Sequence, residues 1–268
     1  MKTLTVATWN INSVRLRIDQ VIAFLKIHQP DVLALQETKC PPGQFPLKKL
    51  AAHGWPHLAE HGQKGYHGVA IISRWPLFDI ERRDFCGMGD ARHVSARVLG
   101  VRIHSLYVPA GGEEPDPQIN PKFAHKLSFL EEMRQWLAAL REIREDPMIL
   151  CGDFNVAPYE CDVWDHKKLL KVVTHTPVET DALKAILAES GLVDVVRRAH
   201  PAPRPLFTWW SYRGGRDWQS HDRGRRLDHI WASPALAARC EAVEVIRETR
   251  SWHRPSDHIP LIARFRLP

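Results

Sequence analysis

Polar residues set at the ends of strongly apolar runs constrain this chain more than any other feature. Leu4–Trp9 alternates like a strand and leads into Asn10, Val32–Gln36 leads into Glu37, and Met148–Cys151 leads through Gly152 to Asp153 and Asn155. Asp228 lies inside a further run of this kind, Leu227–Ala232. Successive strand residues point to opposite faces, and an unpaired ionisable group is not tolerated in an apolar interior. Acids and amides placed this way therefore collect on a shared rim where strands end.

Other strand patterns cover Val69–Ser73, Val101–Val108 and Leu261–Phe265, and helical spacing of apolar residues covers Arg17–His28, Lys122–Arg144 and Thr180–Ser190. The two patterns intermix without the regular alternation of a βαβ barrel. An α/β fold follows, with sheets that contain antiparallel strands and are covered by helices. At 268 residues and 44% hydrophobic content the chain can bury a sizeable core. No linker, repeat or low-complexity stretch interrupts it, so a single domain spanning residues 1–268 is expected.

The formal net charge is +6 and the isoelectric point near 9.2, which suits a polyanionic partner without requiring one. Half of that charge falls in residues 213–226, where Arg213, Arg216, Arg223, Arg225 and Arg226 face only Asp217 and Asp222. Five cysteines, odd in number and without the close spacing of a zinc site, imply neither a disulfide framework nor structural zinc. Met1-Lys2 passes directly into the first strand pattern without the apolar stretch of a signal peptide, and no segment is long enough to cross a bilayer. A reduced, cytoplasmic location with no membrane association is the expectation.

Five short segments hold the chemistry. They are Trp9-Asn10-Ile11-Asn12, Gln36-Glu37-Thr38-Lys39, Gly152-Asp153-Phe154-Asn155, Arg226-Leu227-Asp228-His229 and Ser256-Asp257-His258-Ile259. Each has a structural alternative: asparagines after strands make turns, a carboxylate can cap a helix, and adjacent Asp and His often form a surface turn. Taken together, acids, amides and one imidazole are the parts that bind a hard cation through oxygen and stabilise charge on a phosphate ester.

In order, spacing and flanking hydrophobics, these segments resemble the endonuclease/exonuclease/phosphatase superfamily from about Leu4 to Phe265. Within it, Gln36-Glu37-Thr38-Lys39, His61-Gly62-Gln63-Lys64-Gly65, Tyr107-Val108-Pro109, Pro121-Lys122-Phe123 and Phe207-Thr208-Trp209-Trp210-Ser211-Tyr212-Arg213 look like the exonuclease III class of abasic-site endonucleases. The resemblance implies a four-layer α/β sandwich of two packed mixed sheets flanked by helices. It also implies a Mg²⁺-dependent phosphodiesterase, with Mn²⁺ as an alternative ion. Such an enzyme would act on double-stranded DNA with abasic or 3′-blocked sites, incising 5′ of the lesion and trimming 3′ ends; a monomer is the default expectation.

Carried over by position, Glu37 would be the principal metal ligand, with Asn10, Asn12 and Asp257 near the ion or its waters. Asp153 would activate water, Asn155 and Tyr107 would approach the phosphate, and His258, oriented by Asp228, would stabilise the developing oxyanion. Arg92, Lys122, Arg225 and Arg226 would meet DNA, and Trp209, Trp210 and Leu227 would line a slot for the damaged sugar. Ala110 stands where relatives commonly carry glutamine, Arg225 where they carry tryptophan or leucine, and the loop Gly214–Gly224 follows no familiar pattern. Two other readings remain: a non-catalytic nucleic-acid-binding regulator on this fold, and a superfamily phosphodiesterase with another substrate.

Overall fold

Period-two alternation explains both faces of the central strands in a computed structural model that describes residues 2–142, 146–214 and 218–267. In strand β1 (Thr3–Asn10), Leu4 and Val6 are buried against a second sheet, while Ala7 and Trp9 pack on helix α1 (Ile18–His28). In β2 (Val32–Gln36), Val32 and Ala34 take the first face and Leu33 and Leu35 the second.

The remaining strands are β3 (His57–His61), β4 (Val69–Ser73), β5 (Phe78–Glu81), β6 (His93–Val98), β7 (Val101–Tyr107) and β8 (Met148–Asp153), followed by β9 (Val193–Asp194), β10 (Asp228–Ala232), β11 (Cys240–Val245) and β12 (Leu261–Arg266). They form two six-stranded sheets, β11-β12-β1-β2-β4-β3 and β5-β6-β7-β8-β10-β9. Each sheet has one parallel pair at its centre, β1–β2 and β7–β8, and its other pairings are antiparallel.

The inner faces meet through Val6, Ala34 and Ile71 from the first sheet and Ile103, Ile149, Cys151 and Ile230 from the second. The outer face of the first sheet is covered by α1, through Val21, Phe24 and Leu25. The outer face of the second is covered by α2 (Pro121–Glu142), through Phe129, Leu130, Met133 and Leu137, and by α3 (Pro177–Ser190), through Leu183 and Ile186. The result is the expected four-layer sandwich. Local signals set the limits of α3: a Thr176/Glu179 capping box with Pro177 in the first turn, and Gly191 in the left-handed conformation at the end.

Val32–Gln36 and Val69–Ser73 have the limits that the sequence suggests. The strands that the pattern misses are β3, β5, β6, β9 and β11, most of them at sheet edges. One example is β5, whose four residues are all exposed, including the apolar Phe78 and Ile80. Arg144, the expected end of the long second helix, lies outside the described residues. Among the described residues no helix is long and apolar enough to cross a membrane.

Candidate active site

The inner faces change character at one end of the sandwich. On strand after strand the apolar inward series ends in a polar group: Asn10 beyond Val6, Gln36 beyond Ala34, Tyr107 beyond Ile103, Asp153 beyond Cys151, and Asp228 before Ile230. A first polar layer joins the sheets where Gln36 Nε2 donates to Thr8 Oγ1 at 3.1 Å and to Ser105 Oγ at 3.0 Å. The acids lie above it.

Gly152 makes this junction feasible. Its φ of +144° is a glycine conformation, and a Cβ there would stand 1.9 Å from the Leu106 carbonyl oxygen. The close approach of β7 and β8 brings Tyr107 level with Asp153 in the ladder. Three site residues, Asn12, Glu37 and Asn155, adopt left-handed backbone with φ of 46°, 49° and 51°. Asparagine accepts this readily, but Glu37 is a bulkier case that the surroundings must hold. Ser13 N donates to its carbonyl at 2.7 Å, and the next amide, Thr38 N, is tied to Gly68 O at 3.0 Å.

The side chains form one connected network. Asn10 Nδ2 donates to Glu37 Oε1 and to Asp153 Oδ2, both at 2.9 Å, and so spans the two sheets. Asn155 donates to Asp153 from its backbone at 2.9 Å and from its side chain at 3.2 Å. The Tyr107 hydroxyl donates to Glu37 Oε1 at 3.0 Å. Asn12 donates to Asp257 Oδ1 at 3.1 Å, and Trp209 Nε1 donates to Asp257 Oδ2 at 3.0 Å. His258 lies between two carboxylates, with Nδ1 at 2.8 Å from Asp228 Oδ2 and Nε2 at 3.6 Å from Asp153 Oδ2. Its loop is fixed to β1 because Ser256 Oγ donates to Asn10 O at 2.6 Å and Trp9 Nε1 to His258 O at 3.0 Å.

Burial works against the imidazolium of His258, but Asp228 and Asp153 outweigh it and raise the group to about 10. The ring is therefore a charged donor at neutral pH. Burial pushes the Asp153 carboxyl up, His258 pulls it down and Asp228 pushes it up again, leaving it near 7. That value suits a group that accepts a proton from water. Burial, together with Glu37 and Asp153, holds the Tyr107 phenol well above its ordinary range, so it acts as a donor. Burial also raises Asp257, but His258 and the donors Asn12 and Trp209 bring it below the usual carboxylate range.

All nine residues expected in catalysis or metal binding thus meet at this rim. Lys39, which has no role in the sequence reading, joins them: its ammonium is 2.9 Å from Glu37 Oε2 and 2.7 Å from Asn12 Oδ1. The signal was available, since Lys39 stands two residues from Glu37 in a non-helical stretch.

The residues expected to meet DNA divide. Lys122 is exposed, and Trp209 is half-buried beside Asp257. Arg225 is half-buried, with its guanidinium 5.2 Å from the Trp209 ring and bonded to Thr174 Oγ1 at 2.8 Å. Leu227 is buried in a cluster with Ala157, Val163 and Leu169, against which Trp209 also packs.

Arg226 corrects the sequence reading. It is wholly buried, bonded to Asp162 at 2.7 and 3.1 Å and to Asp194 at 2.8 Å, and Arg197 also pairs with Asp162. It cannot reach a DNA backbone. Trp210 is likewise buried, packed on Phe207 and Trp218 with Nε1 donating to Asp222, and does not line an open slot. Arg92 is 6% exposed, paired with Asp90 at 2.9 Å and stacked on Tyr107, so it supports the tyrosine from behind. Arg216 and Asp217 of the basic loop lie outside the described residues.

A model described as the Endonuclease/Exonuclease/phosphatase family matches residues 7–258. The chain belongs to that family. Exodeoxyribonuclease III of Haemophilus influenzae is 31% identical, covering 97% of this chain and 98% of that one. A Bacillus subtilis exodeoxyribonuclease is 28% identical over 95% and 96% of the two chains. Among solved structures, a 3′-5′ exonuclease from Neisseria meningitidis superposes with a TM-score of 0.90 at 35% identity, covering 98% of this chain and all of that one. An AP endonuclease from Archaeoglobus fulgidus gives 0.89 at 34% identity with the same coverage. As a member of the endonuclease/exonuclease/phosphatase family with the acid and imidazole set intact, the chain is a nuclease-type hydrolase.

Nucleases of this family are metal-dependent, and the residues present fit a cation. Among the described residues, Glu37, Asp153, Asp228 and Asp257 have only His258 and Lys39 as opposing charges in direct contact, which leaves the cluster rich in anionic oxygen. Buried Asp228 Oδ1 has no hydrogen-bond partner among the described residues. Ligand atoms of Asp153, Asp228 and His258 lie within 4.8 Å of one another, but with both ring nitrogens facing carboxylates this trio is an ion-pair relay. Glu37, supported by Asp257 and the amides Asn10 and Asn12, offers the oxygen donors that a hard ion prefers.

Proposed function

We propose that this chain is a magnesium-dependent DNA-repair phosphodiesterase that incises DNA 5′ of abasic sugars and processes 3′ ends. The observation that carries the reading is the position of His258 at the junction of the two sheets, with one ring nitrogen 2.8 Å from Asp228 and the other 3.6 Å from Asp153. Asp153, fixed by Asn10 and Asn155, takes a proton from the attacking water. The imidazolium Nε2–H, 3.6 Å from Asp153 and so beyond hydrogen-bond distance of it, is left to donate to the developing oxyanion, and Asp228 keeps the ring charged and oriented. A bound divalent ion supplies the charge sink for the phosphate oxygens.

Relatives of solved structure support a DNA substrate: one from Neisseria is a 3′ phosphatase bound to a product DNA hairpin, and it superposes with a TM-score of 0.89. The hard oxygen donors favour Mg²⁺, with Mn²⁺ as a substitute. A non-catalytic regulator would gain nothing from four carboxylates placed where phosphates must approach.

The test is an end-labelled duplex with one stable abasic analogue, incubated with Mg²⁺ or chelator beside an undamaged duplex. The expected product is a cut immediately 5′ of the analogue that needs Mg²⁺ and is absent with Asp153→Asn, while binding is retained. Progressive 3′ shortening alone would restrict the activity to 3′ ends, and binding without cleavage would favour the regulator.

A further inference from the structure

Beside Asp257 lies a cleft of about 700 Å³, lined by Tyr212, Trp218, Arg250, Trp252, His253 and Arg254 among others. None of its described lining residues is acidic. Arg250 is 4% exposed, its Nε is buried without a hydrogen-bond partner, and it forms no ion pair among the described residues. Its guanidinium lies 5.3 Å from the Tyr212 ring and 5.9 Å from the Trp218 ring, and donates once, to Trp210 O at 3.3 Å. Asp257 acts on it through space only. A buried cation with spare donors and no paired carboxylate is costly unless an anion completes it.

The cleft is held rigid from α1 and the residue before it. Arg17 donates to Arg254 O at 3.0 Å and to the Tyr212 hydroxyl at 3.0 Å, and Gln20 donates to His253 O at 2.6 Å. Tyr212 in turn donates to Pro255 O at 2.9 Å. Trp252 meets Trp9 edge to face with ring centres 6.3 Å apart. Tyr212 is 46% exposed although aromatic, so its ring is open to a ligand.

Flat aromatic faces beside guanidinium groups, in a volume large enough for one small ligand and too small for a duplex, match a single nucleotide. We propose that this cleft is a second nucleotide subsite, next to the catalytic rim, that takes one unstacked nucleotide of single-stranded DNA. The base rests against Tyr212 and Trp252, and the phosphate completes Arg250 and Arg254. This deepens the DNA-repair reading and rests on it for the choice of DNA as the ligand.

The test uses the full chain in chelator with two labelled probes, pentathymidylate and the same strand with abasic analogues in place of its bases, read by fluorescence anisotropy. Base stacking predicts roughly tenfold tighter binding of the strand that carries bases. Arg250→Met and the exposed-site change Arg254→Gln should each weaken that binding several-fold; if Arg250→Met fails to fold, Arg254→Gln decides. Equal affinity for the two strands, or unchanged affinity in the folded variants, would overturn the subsite. Cleavage of the abasic duplex by the unmodified protein is scored in the same preparation, and its absence would sink the DNA-repair reading while leaving base-dependent binding intact.

Discussion

Asp153 and Asp228 are register partners on adjacent antiparallel strands. Like charges opposite one another in a ladder repel, and here both are buried. His258 offsets this by holding one carboxylate at each ring nitrogen. Its imidazolium is therefore a structural counter-ion as well as a donor, and the two roles can be separated by experiment.

In metal-free protein the His258 ring should remain protonated throughout the neutral range and titrate near 10, against about 6.5 for a free imidazole. The folded value is raised, so its stabilisation is complete below about pH 6.5 and is lost as pH climbs through about 10. Urea unfolding of the native chain and His258→Asn should differ most at pH 6, and the gap should shrink by pH 10. A constant gap would mean that the ring is neutral.

Asp228→Asn should lower kcat by about 10²–10⁴-fold with little change in KM, because it removes the anchor of a transition-state donor and leaves substrate contacts in place. Steady-state kinetics on the abasic duplex give the split. A change confined to KM would assign Asp228 to binding.

Arg226→Leu should cost about 3–5 kcal/mol of stability by leaving Asp194 buried without its guanidinium partner and Asp162 with Arg197 alone. The dependence of DNA affinity on salt should not change, since no phosphate contact is lost. Denaturant titration and binding at several salt concentrations check the two halves separately.

Lys39→Met should lower the Mg²⁺ concentration for half-maximal activity by about tenfold, because a cation next to Glu37 repels the incoming ion by on the order of 1 kcal/mol. Glu37→Gln should raise the same concentration. Opposite shifts in the two variants would place the ion at Glu37, and identical shifts would place it elsewhere.

Gly152→Ala should leave little folded protein, since the added methyl meets a backbone oxygen at 1.9 Å and the residue's φ of +144° excludes other side chains. Circular dichroism of the soluble fraction is sufficient to decide this.

Much of the rim was legible because acids ending apolar strands have few other places to go, and Asn10, Glu37, Asp153 and Asp228 follow from that rule. Trp210 and Arg226 depart from the sequence reading for one reason: that reading pairs Trp209 with Trp210 and Arg225 with Arg226, yet neighbours in an extended segment face opposite ways. Trp209 and Arg225 turn toward the site, and Trp210 and Arg226 turn inward. Asp162 and Asp194, which receive Arg226, lie 64 and 32 residues away, and no local pattern announces such partners. Edge strands such as β5 were invisible because they are short and bury little, so no sustained apolar run marks them.

Asn10 and Glu37, proposed to hold an ion, extend from strands of the first sheet, and the paired acids Asp153 and Asp228 from strands of the second, so the hydrocarbon between the sheets serves as a spacer of fixed thickness. A methyl group lost from Ile149 or Ile230 would let the two halves of the chemistry settle closer by a fraction of an ångström. Catalytic selection therefore extends to side chains that touch neither water nor substrate, and the enzyme's tolerance for core substitutions should be narrower than its stability alone would set.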